Sequence, residues 1–233
     1  MAVTDRRVVV VDTETTGLNP DNGDRIIEIA CVEIQDLASL QTRFHTYLDP
    51  EKEIDQEAVR IHGQTWADLK GHPKFADIAD QFLETIQDAD VVMHQAEFDR
   101  KFIDHELENA GIGARMQDFC TVVDSLAIAR EKFRDASNDL NALCKRFKVD
   151  LSNRDLHGAL IDAELLARVY IRMISGEQEL FDSTNDGTPS VAPVRLGASV
   201  LAQRKPVVVR ATEEEAAAHD SYMQSIRSSE VDA

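Results

Sequence analysis

The sequence predicts an α/β domain built on a mixed sheet. Three observations carry that expectation. The apolar residues change period along the chain, from β-branched runs in the first fifty residues to helical stripes from residue 74 onward. Three strand-like runs stand close together before any long helix, which suggests antiparallel hairpins. After them helix and strand patterns alternate, the order that lays helices against a sheet.

The first strand is Val8–Val11, four valines in a row. The segment "GLNPDNGDR" that follows is dense in Gly, Asn, Asp and Pro and reads as a turn. The second strand, Ile26–Ile34, partly alternates, and the third, Phe44–Leu48, follows closely. Phe75, Ile78, Ala79, Phe82, Leu83 and Ile86 recur at helical spacing and mark an amphipathic helix. Val91–His94 is a short apolar strand. Phe98, Phe102, Ile103 and Leu107 mark the next helix, stopped by Gly111. Residues 120–123 read as the fifth strand, with helices expected over 125–133, 139–148 and 158–175.

At 233 residues the chain can hold one well-cored domain with something left over, and its hydrophobic fraction of 43% is ordinary for a globular protein. Composition changes near residue 180. The expected organisation is a domain over 1–180, a flexible linker over 181–206 rich in Ser, Thr, Pro and Gly, and a C-terminal segment over 207–233. In that last segment Thr212 with Glu215 fits a helix capping box, and Ala218, Tyr222 and Ile226 recur every four residues. One short helix cannot bury a core alone, so the segment is either a frayed tail or a peptide that folds against a partner. Cys31, Cys120 and Cys144 are odd in number and widely spaced, which points to reduced thiols and a cytoplasmic setting. The apolar run near the start is too short for a signal peptide, and no stretch approaches a membrane span. The formal charge of -18 repels nucleic acid unless metal ions, a local basic patch or a partner offsets it.

Acidic residues sit where apolar strands end. Asp12 and Glu14 follow the four valines, and residues two apart on a strand share a face. Two carboxylates held side by side repel, and a divalent cation with oxygen ligands, Mg²⁺ or Mn²⁺, offsets that repulsion. An Asp12 that caps a turn beside a solvated Glu14 fits the same pair. Asp99 in "HQAEFD" falls in the first turn of a helix, where an acid is favoured by the macrodipole alone. His157 and Asp162 stand five residues apart, a rotation of about 140° on a helix. They converge only if His157 precedes the helix, with Gly158 easing the turn, and Asp162 projects from its first or second turn.

Taken in order, "DTETTG", "HQAEFD" and "HGALIDA" resemble the three motifs of the DEDD superfamily of 3′–5′ exonucleases, and the histidine five before the last aspartate resembles its DEDDh branch. The resemblance covers residues 6–176. It implies an RNase H-like exonuclease fold: a five-stranded mixed sheet, its first three strands antiparallel, flanked by helices. "RIIEIACVEI", "FHTYLDP", "IHG", "DSLAIAR" and "NALCKRF" are similar to the ε proofreading subunits of bacterial DNA polymerase III. So is "VVVRATEEEAAAHDSYM", which resembles their segment for the polymerase (α) subunit and favours the docking-peptide reading. "EQELF", Glu177–Phe181, loosely resembles a clamp-binding motif and equally fits a plain helix end. One departure is Gln95, where the family usually has Asn.

The resemblance implies hydrolysis of terminal phosphodiesters at single-stranded or mispaired DNA 3′ ends by a two-metal mechanism. Asp12, Glu14, Asp99 and Asp162 would hold two divalent cations, and His157 would act as general base, its ordinary pKa near 6.5 suiting the task. Thr13, Thr15, His62 and His94 are candidate contacts to the terminal nucleotide, although His62 and His94 fit equally as structural histidines. The implied partners are DNA, the polymerase subunit, a small accessory subunit and the sliding clamp, with no membrane. A free-standing DEDDh nuclease that trims RNA or repair intermediates shares the same residues. An inactive scaffold domain is the reading from outside enzymology.

Overall fold

The computed structural model describes residues 6–35, 39–152, 154 and 156–175. The expected linker over 181–206, the segment over 207–233 and the Glu177–Phe181 motif lie outside the described residues.

Among the described residues, five strands form one sheet: β1 (Val8–Thr15), β2 (Ile26–Ile34), β3 (Leu40–Tyr47), β4 (Asp90–Met93) and β5 (Thr121–Asp124). Their spatial order is β3-β2-β1-β4-β5. β1, β2 and β3 pair antiparallel, while β4 lies parallel to both β1 and β5. The expected mixed sheet with an antiparallel first half is therefore what forms. Helices cover both faces, so β1 can carry consecutive valines: Val9, Val10 and Val11 are all fully buried.

One face packs against α3 (Phe75–Ile86) and α4 (Ala96–Asn109). Val9, Val11, Ile29 and Cys31 meet Phe75, Phe82, Phe102 and Ile103 there. All six residues of the expected α3 stripe are buried. The other face packs against α7 (Ala159–Ser175), where Val10, Ala30 and Val92 meet Ala159, Ala163 and Leu166. The far side of α7 meets α5 (Ser125–Lys132) and α6 (Leu140–Arg146) in a third cluster around Leu143, Phe147, Leu165 and Val169. Among the described residues no helix is long and apolar enough to cross a membrane.

Three expectations need correction. β1 does not stop at Val11 but runs to Thr15, because its backbone ladder to β2 continues through Asp12↔Ala30 and Glu14↔Glu28. β3 starts at Leu40, four residues early, along a stretch whose side chains are mostly exposed. Two short helices, α1 (Gln56–His62) and α2 (Trp66–Leu69), were not expected. Each buries a single side chain, His62 in α1 and Leu69 in α2, so neither carries an apolar stripe.

Candidate active site

β1 outruns its parallel neighbour. Its pairing with β4 ends at Val10↔Val92, whereas its pairing with β2 runs on to Thr15↔Ile26. Asp12 and Glu14 thus stand on a strand paired on one side only. They share the face of Val10, the face that α7 covers. Asp162 enters from that helix. It lies in the first turn of α7, its backbone N–H donating to the Gly158 carbonyl at 2.9 Å. His157 precedes the helix, anchored by its N–H to the Ile61 carbonyl at 3.0 Å. Gly158 keeps a negative φ, so the expected glycine-eased turn is not what brings His157 in; a Cβ there would only touch Glu28 Oε2 at 3.8 Å.

Asp99 arrives from the opposite face, in the first turn of α4. Thr13, which alternates with Asp12 and Glu14 on β1, holds it: Thr13 Oγ1 donates to Asp99 Oδ1 at 2.7 Å. Gln95, the residue before α4, has a left-handed backbone with φ 69° and ψ 53°. Asn adopts that conformation more readily than Gln, which gives a physical reason for the amide usually expected at this position.

The four acids feel one another. Burial first, then the charges of Asp99, Glu14, Asp162 and Glu28, push the Asp12 carboxyl well above the usual carboxylate range. Burial and the same neighbouring acids push Glu14 up to about 8, with Arg154 opposing. Burial raises Asp99 to about 7 although the Thr13 hydroxyl favours its ionised form. Asp162 differs: burial works against its charge, but hydrogen bonds from Arg154 and His157 hold it below its ordinary value. Arg154 Nε and Nη2 grip the two Asp162 oxygens at 2.5 and 2.6 Å, and Nη1 donates to Asn141 Oδ1 at 2.7 Å. The same Nη2 lies 2.9 Å from His157 Nδ1 and 3.2 Å from Nε2.

This donor set fits divalent cations. Once ionised, Asp12, Glu14 and Asp99 would bring negative charge that Arg154, bound to Asp162, does not match, which a cation would. Ligand atoms of Glu14, His157 and Asp162 all lie within 4.8 Å of one another. Hard oxygen ligands of this kind suit Mg²⁺, Ca²⁺ or Mn²⁺.

The remaining candidates form the surroundings. Thr15 Oγ1 donates to the Gly17 carbonyl at 2.6 Å. His62, at the end of α1, accepts from the Gln64 N–H at 3.1 Å and leaves a buried Nε2 without a hydrogen-bond partner. His94 Nδ1 meets Ser125 Oγ at 3.0 Å and also leaves its Nε2 unpartnered. Burial depresses the pKa of both rings. Two residues of the centre were not anticipated. Arg154 gave no signal, being a lone basic residue in a loop. Glu28 did: an acid inside an apolar strand is conspicuous, and it is buried opposite Glu14 with His45 Nε2 at 2.8 Å.

Carboxylates gathered from both faces of a sheet, with an imidazole beside Glu14 and Asp162, are the kind of centre a metal-dependent nuclease uses. Comparison with known proteins narrows it. The profile of the Exonuclease family (RNase_T) matches residues 9–170. The DNA polymerase III subunit epsilon of Rickettsia felis is 39% identical over 223 residues, covering 94% of this chain and 96% of that protein. The DNA polymerase III subunit epsilon of Escherichia coli is 38% identical over 227 residues, covering 95% and 93%. Among solved structures, the nuclease domain of 3′hExo, a DEDDh family member bound to rAMP, superposes with a TM-score of 0.61 at 16% identity. That match covers 76% of this chain and 96% of that one and supports the fold. The chain belongs to the exonuclease family and, within it, to the DNA polymerase III epsilon subunits.

Proposed function

We propose that the chain removes nucleotides from the 3′ ends of single-stranded or frayed DNA, as the proofreading exonuclease of a DNA polymerase III. The observation that carries this reading is the convergence of Asp12, Glu14, Asp99, Asp162 and His157 from three distant segments onto one end of β1. It is supported by relatives named for that subunit along nearly their whole length.

Asp12, Glu14, Asp99 and Asp162 would hold two divalent cations, Mg²⁺ or Mn²⁺. When bound, the cations supply the positive charge that a phosphodiester anion demands and make water more acidic. The protein's own part is to keep the carboxylates dry and close, so that their ionised forms are favoured only when a cation is present. His157 is the general base. Its Nδ1 lies 3.2 Å from Asp162 Oδ2 and 2.9 Å from Arg154 Nη2, which can only donate; for an Nδ1–H to donate to Asp162 and leave Nε2 to take a proton from water, that arginine N–H must turn wholly to Asp162. Arg154 steadies Asp162 through Nε and Nη2.

Mismatched ends unpair at lower cost than matched ones, so a site that accepts only unpaired strand removes errors preferentially. His62, His94, Thr13 and Thr15 line or support the place of the terminal nucleotide. The segment over 207–233 docks on the polymerase subunit, the linker over 181–206 gives it reach, and Glu177–Phe181 is a contact for the sliding clamp. A small accessory subunit completes the complex, in the cytoplasm.

The test is release of mononucleotides from single-stranded DNA and from a primer with a mispaired 3′ end, with Mg²⁺, Mn²⁺ or a chelator. We expect metal-dependent 3′-to-5′ shortening, faster on the mispaired primer, and none with the Asp12→Ala/Glu14→Ala variant. Equal turnover in the chelator, or by that variant, would exclude the reading.

A further inference from the structure

At the C-terminal ends of β4 and β5 lies a cavity of about 650 Å³. Its walls include His94 and Gln95 from the turn after β4, Arg130 from the last turn of α5, and Arg134 and Asn138 from the loop beyond. The volume is within the range of about 300–1,000 Å³ typical of ligand sites. Gln95 leads directly into α4, whose first turn carries Asp99, so the cavity and the carboxylates sit at the same end of the sheet.

Two arginines stand on this rim. With a formal charge of -18, acids are plentiful, and Arg25, Arg43, Arg100, Arg154 and Arg168 are each paired with one. Among the described residues neither Arg130 nor Arg134 has a salt bridge or hydrogen bond. Of the acids at this end, Asp124 accepts from the N–H groups of Leu126 and Ala127, and Asp139 from Ala142 N–H and the Ser137 hydroxyl; Glu131 and Asp135 follow the two arginines in the chain without pairing with them. The loop carrying Arg134 is tied down. Asn138 Nδ2 donates to the carbonyls of Phe133 and Ala136 at 3.0 and 2.9 Å. Arg146 lies over the Phe133 ring at 4.5 Å and donates to Asn138 Oδ1 and the Ser137 carbonyl. Two arginines without a hydrogen bond or salt bridge among the described residues, one of them on a braced loop, stand on a rim at the same end of the sheet as the carboxylates.

We propose that this cavity takes the DNA strand upstream of the terminal nucleotide, with Arg130 and Arg134 on its phosphates. The inference rests on the nuclease reading above. Such contacts fix the register of the strand without reading sequence, which is what a site indifferent to the base it removes requires. They also put two positive charges beside the path of the strand on an otherwise acidic chain.

The experiment compares the full chain with its Arg130→Gln/Arg134→Gln variant on two probes in Mn²⁺. One is an eight-nucleotide thymidine oligonucleotide. The other is the p-nitrophenyl ester of thymidine 5′-monophosphate, which has no upstream phosphate. For the variant we expect KM on the oligonucleotide to rise roughly tenfold, and the plot of log(1/KM) against log[salt] to become shallower by about 1.4, two single-strand contacts' worth. Its kcat and its constants on the ester stay unchanged, and Arg130→Lys/Arg134→Lys restores the salt slope. An unchanged oligonucleotide KM and slope would overturn the proposal, as would an equal loss on both probes, which would assign the arginines to the carboxylate centre. If the unaltered chain cleaves neither probe, the nuclease reading fails. Anisotropy of the labelled oligonucleotide then still decides the cavity: weaker binding by the Gln variant supports it and equal binding overturns it.

Discussion

Replacing Glu14 with Gln removes one charge from the centre while keeping its shape, and the consequence for stability can be worked out in advance. Burial and neighbouring acids raise this carboxyl from 4.5 to about 8. Between those values the unfolded chain has lost the proton and the folded chain retains it, so folding stability falls as pH rises through the window. At about 1.4 kcal/mol for each tenfold, the ceiling on that loss is roughly 5 kcal/mol. Some of the repulsion passes to Asp12, Asp99 and Asp162 when Glu14 is neutralised, which leaves an expected gain for Glu14→Gln of about 1–3 kcal/mol at pH 8. For a domain of this size that is roughly 3–10 °C in Tm. At pH 5 the native Glu14 is already protonated and the two proteins should melt together. Thermal unfolding in EDTA at pH 5 and pH 8 measures the difference. Adding Mn²⁺ at pH 8 should then reverse the order, because the cation stabilises the native acid set more than the variant. A Tm advantage for Glu14→Gln that is the same at both pH values, or that persists in Mn²⁺, would refute the reasoning.

Three further outcomes are expected. His157→Ala should lower kcat by about 10²–10⁴ and remove the acidic limb of the pH–rate profile; a retained limb would mean another group accepts the proton. Arg154→Gln leaves the buried Asp162 carboxylate without its bidentate partner and should destabilise the chain by about 3–5 kcal/mol in EDTA. The loss should be smaller in Mn²⁺, where a cation takes over, and denaturant titrations showing equal losses would contradict that exchange. Removing residues 207–233 should leave hydrolysis of free oligonucleotides intact and abolish co-purification with the polymerase subunit; a truncated chain that still co-purifies would place the contact elsewhere.

What could be read from the sequence was what repeats. The α3 stripe from Phe75 to Ile86 and the apolar core of β1 follow from period alone, because a buried face must recur with the geometry of its element. The end of β1 was misread for the same reason. "DTET" is polar and carries no apolar signal, yet the backbone ladder to β2 does not depend on side-chain polarity and carries the strand through it. The placement of His157 before α7 and Asp162 in its first turn followed from helical rotation, whereas the meeting of Asp99 with Asp12 needed the family resemblance. Arg154 was out of reach: its partners lie on α6, α7 and the loop before α7, and nothing local announces a contact made by the tip of a long side chain. Glu28 was within reach and passed over, since a carboxylate at a buried strand position needs a reason to be there.

That reason connects the centre with the acidity of the whole chain. Glu28 adds its field to Asp12 and Glu14, which burial already strains, although a neutral side chain at position 28 would relieve the fold. His45 Nε2 holds one Glu28 oxygen at 2.8 Å, yet the Glu28 field still reaches Asp12 and Glu14, where each added negative charge deepens the attraction for a cation while worsening the empty state. The stability given up without metal is thus the same quantity as the affinity gained with it. It follows that Glu28→Gln, on the strand next to the edge strand β3 and outside the metal ligand set, should raise Tm in EDTA at pH 8 and weaken the metal-induced rise in Tm together. A variant that changed one without the other would break the link between the two.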